Sequence, residues 1–146
     1  MGRAGQNDIN ARALWWVGPL TVVAAVLLVF ATRAVAVPLL GLDDTFPPLT
    51  YGGLAFFTVI LVALAVLVFA GFVRWSARPI ELYRKIALGA LALSMLPDAW
   101  LPGHVPGATW PIALVLMAAH VAAWLPTVFV LTNSALVVKR AEDQRL

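Results

Sequence analysis

His120 is the residue best suited to chemistry by its type and its position in the chain. It lies inside a long uncharged run from 110 to 138. A polar side chain in such a run is costly unless it faces protein or water. The functional interpretations are a proton relay, an axial ligand of a haem or chlorin, or a hydrogen bond to a quinone. The structural interpretation is a neutral imidazole bonded to a neighbouring helix.

Two further residues extend this candidate site along the same run. Pro126 removes a backbone donor and frees the carbonyl of Ala122, so the sequence predicts a kink there. A kink beside His120 and Trp124 could open a small pocket, although prolines also serve packing alone. We therefore take His120, Trp124 and Pro126 as a candidate ligand-binding site.

A second set of polar residues lies in or next to the loops on one side of the predicted spans. Arg33 is the only basic residue on its side of the predicted spans, and it could pair with Asp43, Asp44 or Asp98. With His104, it could form an anion or substrate site. The alternative is that Arg33 extends towards water and that Asp98 is interfacial. Arg33, Asp98 and His104 are the candidate outer-side polar cluster.

Several kinds of chemistry are excluded by residue type. The chain has no cysteine, which rules out disulfides, thiolate metal sites and iron–sulfur clusters. Its two histidines have no converging ligands, so we expect no metal site. The sequence has no phosphate-binding glycine loop, no zinc-protease motif and no nucleophile elbow. We therefore assign no catalytic residue and expect no enzymatic activity.

The composition explains where these residues must lie. Of the 146 residues, 62% are hydrophobic and 12% are charged, against about 45–50% and about 25% in soluble domains. Four apolar blocks predict membrane spans at about 14–37, 49–73, 79–96 and 110–138, in a single domain, 1–146. Helices satisfy their own hydrogen bonds in lipid. The sequence predicts an all-α membrane protein with an up-down-up-down bundle of four transmembrane helices.

Loop charges predict the orientation of the spans. All but one of the ten basic residues fall on one side, together with both ends of the chain. Basic loops face the cytoplasm, so we expect both termini to be cytoplasmic. The formal charge of +3 follows from this pattern and does not indicate binding to nucleic acid.

Three stretches of the chain carry a resemblance to a known family. They are VPLLGL at 37–42, RPIELYRKIALGALALSMLPD at 78–98 and PGATWPIALVLMAAHVAAWLP at 106–126. They resemble small four-helix integral membrane proteins found mostly in actinobacteria, an uncharacterised domain of unknown function. The resemblance implies the four-span fold and a bacterial cytoplasmic (inner) membrane, and it implies no activity.

We expect a non-enzymatic accessory or scaffold subunit, because the chain has many packing residues and almost no reactive ones. Its partners would be the lipid bilayer and other membrane subunits, or a second copy through self-association. An alternative is a bundle that binds a lipophilic ligand near His120, such as a quinone, a carotenoid or other pigment, or a lipid. A minimal transporter would need a polar stripe through the bundle.

Overall fold

Four α-helices make up the part of the chain that the structure describes. A computed structural model describes the backbone of residues 11–143 and the side chains of residues 15–133. The helices are α1 (Ala11–Leu40), α2 (Tyr51–Trp75), α3 (Pro79–Trp100) and α4 (Trp110–Asp143), with a short 3-10 helix, Pro47–Leu49, before α2. Residues 11–143 contain no strand. The predicted all-α fold with four helices is therefore confirmed. Some basic residues used to predict the orientation lie outside the described side chains: Arg3, Arg12, Lys139, Arg140 and Arg145.

Helix α1 ends at a glycine. Gly41 has a φ of 59°, a conformation that glycine adopts without a steric penalty. The amide of Leu42 donates to Val37 O at 3.0 Å, and the amide of Gly41 donates to Pro38 O at 3.4 Å. This pair of bonds is the Schellman arrangement, which satisfies carbonyls at the end of a helix. Helix α1 therefore continues past the predicted limit at residue 37.

The start of α2 is closely packed against the preceding 3-10 helix. The side chain of Thr50 accepts a hydrogen bond from the amide of Gly53 at 3.1 Å, which caps the helix. A Cβ atom on Gly53 would clash with the backbone oxygen of Pro47, whereas a Cβ atom on Gly52 would meet nothing within 4 Å. The sequence therefore needs glycine at 53 and not at 52.

Helix α3 ends later than the sequence predicts. The expected end was Leu96, because proline at 97 cannot donate an intrahelical hydrogen bond. The helix instead continues through Pro97 to Trp100. The amide of Leu101 donates to Pro97 O at 3.1 Å and to Asp98 O at 3.3 Å, which closes the last turn. One missing donor close to the end of a helix does not end it when the following turn is bonded in this way.

The helices form a ring in which α1 contacts α2 and α4, and α3 contacts α2 and α4. The bundle has a loop end, formed by residues 41–50 and 101–109, and a terminal end, which carries the turn 76–78. The most extensive packing joins α1 to α4. A buried cluster at the loop end includes Val29, Val37, Ile112 and Leu116, and a smaller one at the terminal end holds Phe69, Tyr83 and Leu131.

Three helices are long and apolar enough to cross a membrane. The segments are Trp15–Leu40, Tyr51–Trp75 and Trp110–Asn133, with mean hydropathies of 2.4, 2.9 and 2.1. Large apolar side chains cover their outer surfaces, including Leu27, Phe56 and Phe129. Water-soluble proteins rarely expose continuous apolar surface of this kind. The outer surface is therefore suited to lipid.

Candidate functional site

The polar residues of α3 and α4 meet along the line where these two helices pack, and Asp98 lies at the loop end of that line. Asp98 belongs to the last turn of α3 and is only 7% exposed. A buried carboxylate requires a partner, because taking its charge out of water is expensive. Its nearest ionisable neighbour is on α4.

That neighbour is His120. Its Nε2 atom lies 3.1 Å from Oδ2 of Asp98, and the two side chains are 29% and 11% exposed. Nε2 and Oδ2 lie at the distance of an ion pair but form no hydrogen bond, so Oδ2 of Asp98 is an enclosed oxygen without a hydrogen-bond partner among the described residues. The partly exposed imidazole can form a hydrogen bond with another molecule.

Two further polar contacts follow the same line towards the terminal end. The indole Nε1 of Trp124 donates to Ala87 O at 2.9 Å. The guanidinium of Arg84 donates from Nη2 to Thr132 Oγ1 at 3.2 Å. Trp124 follows His120 by four residues and precedes Thr132 by eight, so the three residues lie on one face of α4. We call this line, from Asp98–His120 through Trp124–Ala87 to Arg84–Thr132, the α3–α4 seam.

The seam explains how α3 is held in the bundle. Helix α3 carries Glu81, Arg84, Lys85 and Asp98 and is less apolar than the other three. Inside a membrane, polar contacts between helices supply attraction that apolar side chains do not, because lipid is as apolar as leucine. The seam provides those contacts on the face of α3 that meets α4.

Pro126 lies within a continuous α4. The hydroxyl of Thr127 donates to Ala123 O at 2.6 Å, and not to the carbonyl of Ala122 that the proline frees. A shallow groove of about 340 Å³ opens beside Trp124 and runs to Arg84 and Thr132. The structure thus places Trp124 between His120 and a groove. Pro126 does not line the groove.

The outer-side polar cluster expected from the sequence is not assembled by direct contacts. Asp98 pairs with His120, as described above. Arg33 is 9% exposed, and its Nε donates to Leu49 O at 2.7 Å. His104 is exposed, hydrogen-bonds through Nδ1 to Trp100 O at 2.8 Å and stacks on the Trp100 ring. Each member of the predicted cluster therefore has a different partner.

The acidic loop residues do not pair with Arg33 either. Asp43 accepts hydrogen bonds from the hydroxyl of Thr45 at 2.7 Å and from its amide at 2.8 Å. Both bonds lower the pKa of Asp43 below its ordinary value of 3.8, and the bond from the Thr45 side chain has the larger effect. The loop carboxylate is thus occupied locally, and it stabilises its own turn.

The pairing of Asp98 with His120 is not predicted from the sequence, which places Asp98 at the interface because Pro97 is expected to end the helix. One signal points to the pair: a carboxylate directly after a predicted helix, followed by a histidine on the next antiparallel helix. Groups of three or more potential metal ligands do not occur among the residues described by the structure.

The fold and surface define a class: the protein is a small, all-helical membrane protein with four helices. Within that class, the chain belongs to a family of unknown function, DUF6069, which matches residues 9–136. The resemblance to an uncharacterised domain is thereby confirmed. Neither a curated protein nor a solved structure matches the chain.

Proposed function

We propose that the chain crosses a bacterial cytoplasmic (inner) membrane four times, with both termini in the cytoplasm. The α3 helix, of 22 residues, is about 33 Å long at 1.5 Å per residue, which is enough for a hydrocarbon core of about 30 Å. Its exposed charges, Glu81, Arg84 and Lys85, cluster at the terminal end together with Arg78 just before the helix, and Glu81 bridges Arg78 and Lys85. Asp98, at the other end, is paired. This distribution supports a crossing with the terminal end at the basic, cytoplasmic surface.

The absence of cysteine makes the topology directly testable. Asp44→Cys introduces a thiol in the loop between α1 and α2, and Ala77→Cys introduces one in the turn between α2 and α3; both positions are exposed. A membrane-impermeant maleimide should label Asp44→Cys in intact spheroplasts and Ala77→Cys only after permeabilisation. Labelling of both from the same side would contradict the proposal.

The function that the geometry supports best is binding of a lipophilic molecule with a hydrogen-bonding head group at the Asp98–His120 pair. The observation that carries this proposal is the partly exposed imidazole of His120, which has no hydrogen bond among the described residues and is held beside the enclosed Oδ2 of Asp98. A polar group in this position is suited to a hydrogen bond with a ligand. A quinone in its reduced form carries hydroxyl groups that can bond to the imidazole, whereas a hydrocarbon carotenoid carries none.

Binding of a short-chain quinol, decylubiquinol, to the purified protein in mild detergent tests this function. Wild type should bind it, and His120→Ala should bind it about tenfold more weakly, as one lost hydrogen bond predicts. Asp98→Asn, which removes the charge that holds the imidazole in place, should also weaken binding. His104→Ala is the matched control, because its imidazole lies outside the seam, and it should bind like wild type. Equal binding by wild type and the two seam variants would refute the proposal.

A second candidate, an accessory or scaffold subunit, is favoured by the outward face of α3. A Cβ atom on Gly89 would meet nothing within 4 Å, and Ala90 and Ala92 beside it are exposed. Small residues on a lipid-facing helix allow a second helix to approach closely. Sizing and mass spectrometry of the protein in mild detergent should then show a second copy or another membrane subunit. A monomer without co-purifying protein would contradict this candidate.

A further inference from the structure

Arg33 is a buried cation for which the described residues provide no counterion. It is 9% exposed, and no described carboxylate lies within 4 Å of its guanidinium. Two of the three carboxylates expected to pair with it are engaged elsewhere, Asp43 with Thr45 and Asp98 with His120, and the third, Asp44, is exposed and forms no ion pair with Arg33. A positive charge removed from water in this way needs an anion or a fixed set of dipoles nearby.

The contacts of Arg33 fix its guanidinium group and leave the two terminal nitrogens available for another partner. Nε donates to Leu49 O at 2.7 Å. The Cζ atom lies 4.0 Å from the centre of the Tyr51 ring, and the Phe30 ring packs against Tyr51 in a T-shaped arrangement with 4.9 Å between the ring centroids. Among the described residues the two terminal nitrogens have no hydrogen-bond partner, and they are not among the enclosed polar atoms. A held guanidinium with free terminal nitrogens is a fork that matches two oxygens of a phosphate.

The position of Arg33 along α1 matches the edge of the hydrocarbon core, from which a long side chain reaches the lipid phosphates. Arg33 follows the exposed Trp15 by 18 residues, or about 27 Å along the helix. Tryptophans favour the membrane–water interface, and the hydrocarbon core is about 30 Å thick. If Trp15 marks one surface, Arg33 lies at the other, beside the first residues of α2. The N-terminus of that helix adds a partial positive charge.

We propose that Arg33, at the junction of α1 with the start of α2, binds an anionic phosphate, namely the phosphodiester group of a membrane phospholipid. The terminal nitrogens of Arg33 bind two phosphate oxygens, Tyr51 holds the guanidinium in place, and the acyl chains lie against the apolar surfaces of α1 and α2. The site is on α1 and α2, so it is independent of the α3–α4 seam.

The test compares three probes on the full chain in mild detergent, using native mass spectrometry. Dioleoylphosphatidylglycerol should bind saturably, and dioleoylglycerol, which has the same tails without phosphate, should bind at least tenfold more weakly. Inorganic phosphate is the third probe. If it displaces the lipid, a free phosphate is sufficient for the site, and if it does not, the intact lipid is the ligand. Both of these results support a phosphate site.

Two variants connect the binding to Arg33. Arg33→Gln should weaken phosphatidylglycerol binding at least tenfold, and Arg33→Lys, which keeps the charge but not the fork, should weaken it less. Arg74→Gln removes an exposed cation at the other end of the bundle and should bind like wild type. Equal binding of the lipid by wild type and Arg33→Gln would overturn the proposal. If Arg33→Gln does not fold, equal binding of the two lipids by wild type overturns it instead.

Discussion

The contact between Asp98 and His120 makes a quantitative prediction about stability. Replacing either residue with alanine should destabilise the bundle, and the double variant should lose less than the sum of the two single losses. The difference is the coupling free energy of the pair. It separates the contact itself from other effects of each substitution.

The size of the coupling follows from the geometry. Polar contacts between membrane helices contribute about 0.6 kcal/mol on average and about 1.7 kcal/mol at most. The pair is close, at 3.1 Å, and its side chains are 29% and 11% exposed, which places it among the stronger contacts. The missing hydrogen bond at Oδ2 reduces the coupling. We therefore expect a coupling of about 1 kcal/mol.

The assay is reversible unfolding in mixed micelles, with a fixed mild detergent and increasing denaturing detergent, followed by circular dichroism. A parallel cycle with Asp98→Ala and His104→Ala is the control, because His104 contacts Trp100 and not Asp98. That cycle should be additive within about 0.3 kcal/mol. Equal coupling in the two cycles would refute the pairing on which the candidate site depends.

Three further predictions concern other contacts. Gly53→Ala should destabilise the protein by about 1–3 kcal/mol, because its Cβ clashes with the backbone at Pro47. Gly52→Ala should leave the unfolding free energy the same or raise it by up to about 1 kcal/mol. A loss of stability in both variants would contradict the conclusion that only position 53 needs glycine. Trp124→Phe should lower the unfolding free energy by about 0.6 kcal/mol, because it removes the hydrogen bond to Ala87 O. Trp110→Phe, at an exposed position, should leave the unfolding free energy unchanged in the mixed-micelle assay. In a carboxyl-selective NMR titration, Asp43 should titrate below 3.8, and Thr45→Ala should move it back towards that value. The folded-state pKa is depressed, so the stabilisation from Asp43 is present above its ordinary pKa and is lost as the pH falls through the lowered value.

The sequence predicts the helices well because lipid imposes a simple rule. A long uncharged run in a chain with so few charges has to be a helix, and the blocks around 49–73 and 110–138 correspond to α2 and α4. Helix ends are harder to predict, since they depend on local bonds. Gly41 ends α1 through its positive φ, and the amide of Leu101 closes the last turn of α3 beyond Pro97.

The candidate site was only partly accessible from the sequence. The burial cost of a histidine in an apolar run identified His120 without any structure. Its partner could not be found in the same way, because the depth of Asp98 depends on whether α3 continues past Pro97. Arg33 illustrates the same difficulty: carboxylates nearby in the sequence suggested ion pairs, but the guanidinium turns instead to Leu49 O and Tyr51, which are brought close by the fold.

The preference of α1 for α4 has a consequence for assembly during synthesis. Of the four described helices, α1 is made before the others, and its most extensive packing is against α4, which is made after them. Until α4 is made, Val29 and Val37 lack the partners, such as Ile112 and Leu116, that enclose them in the finished bundle. Contacts between distant parts of a chain form late. A nascent protein that stops after α3 would therefore leave the side of α1 that packs against α4 uncovered.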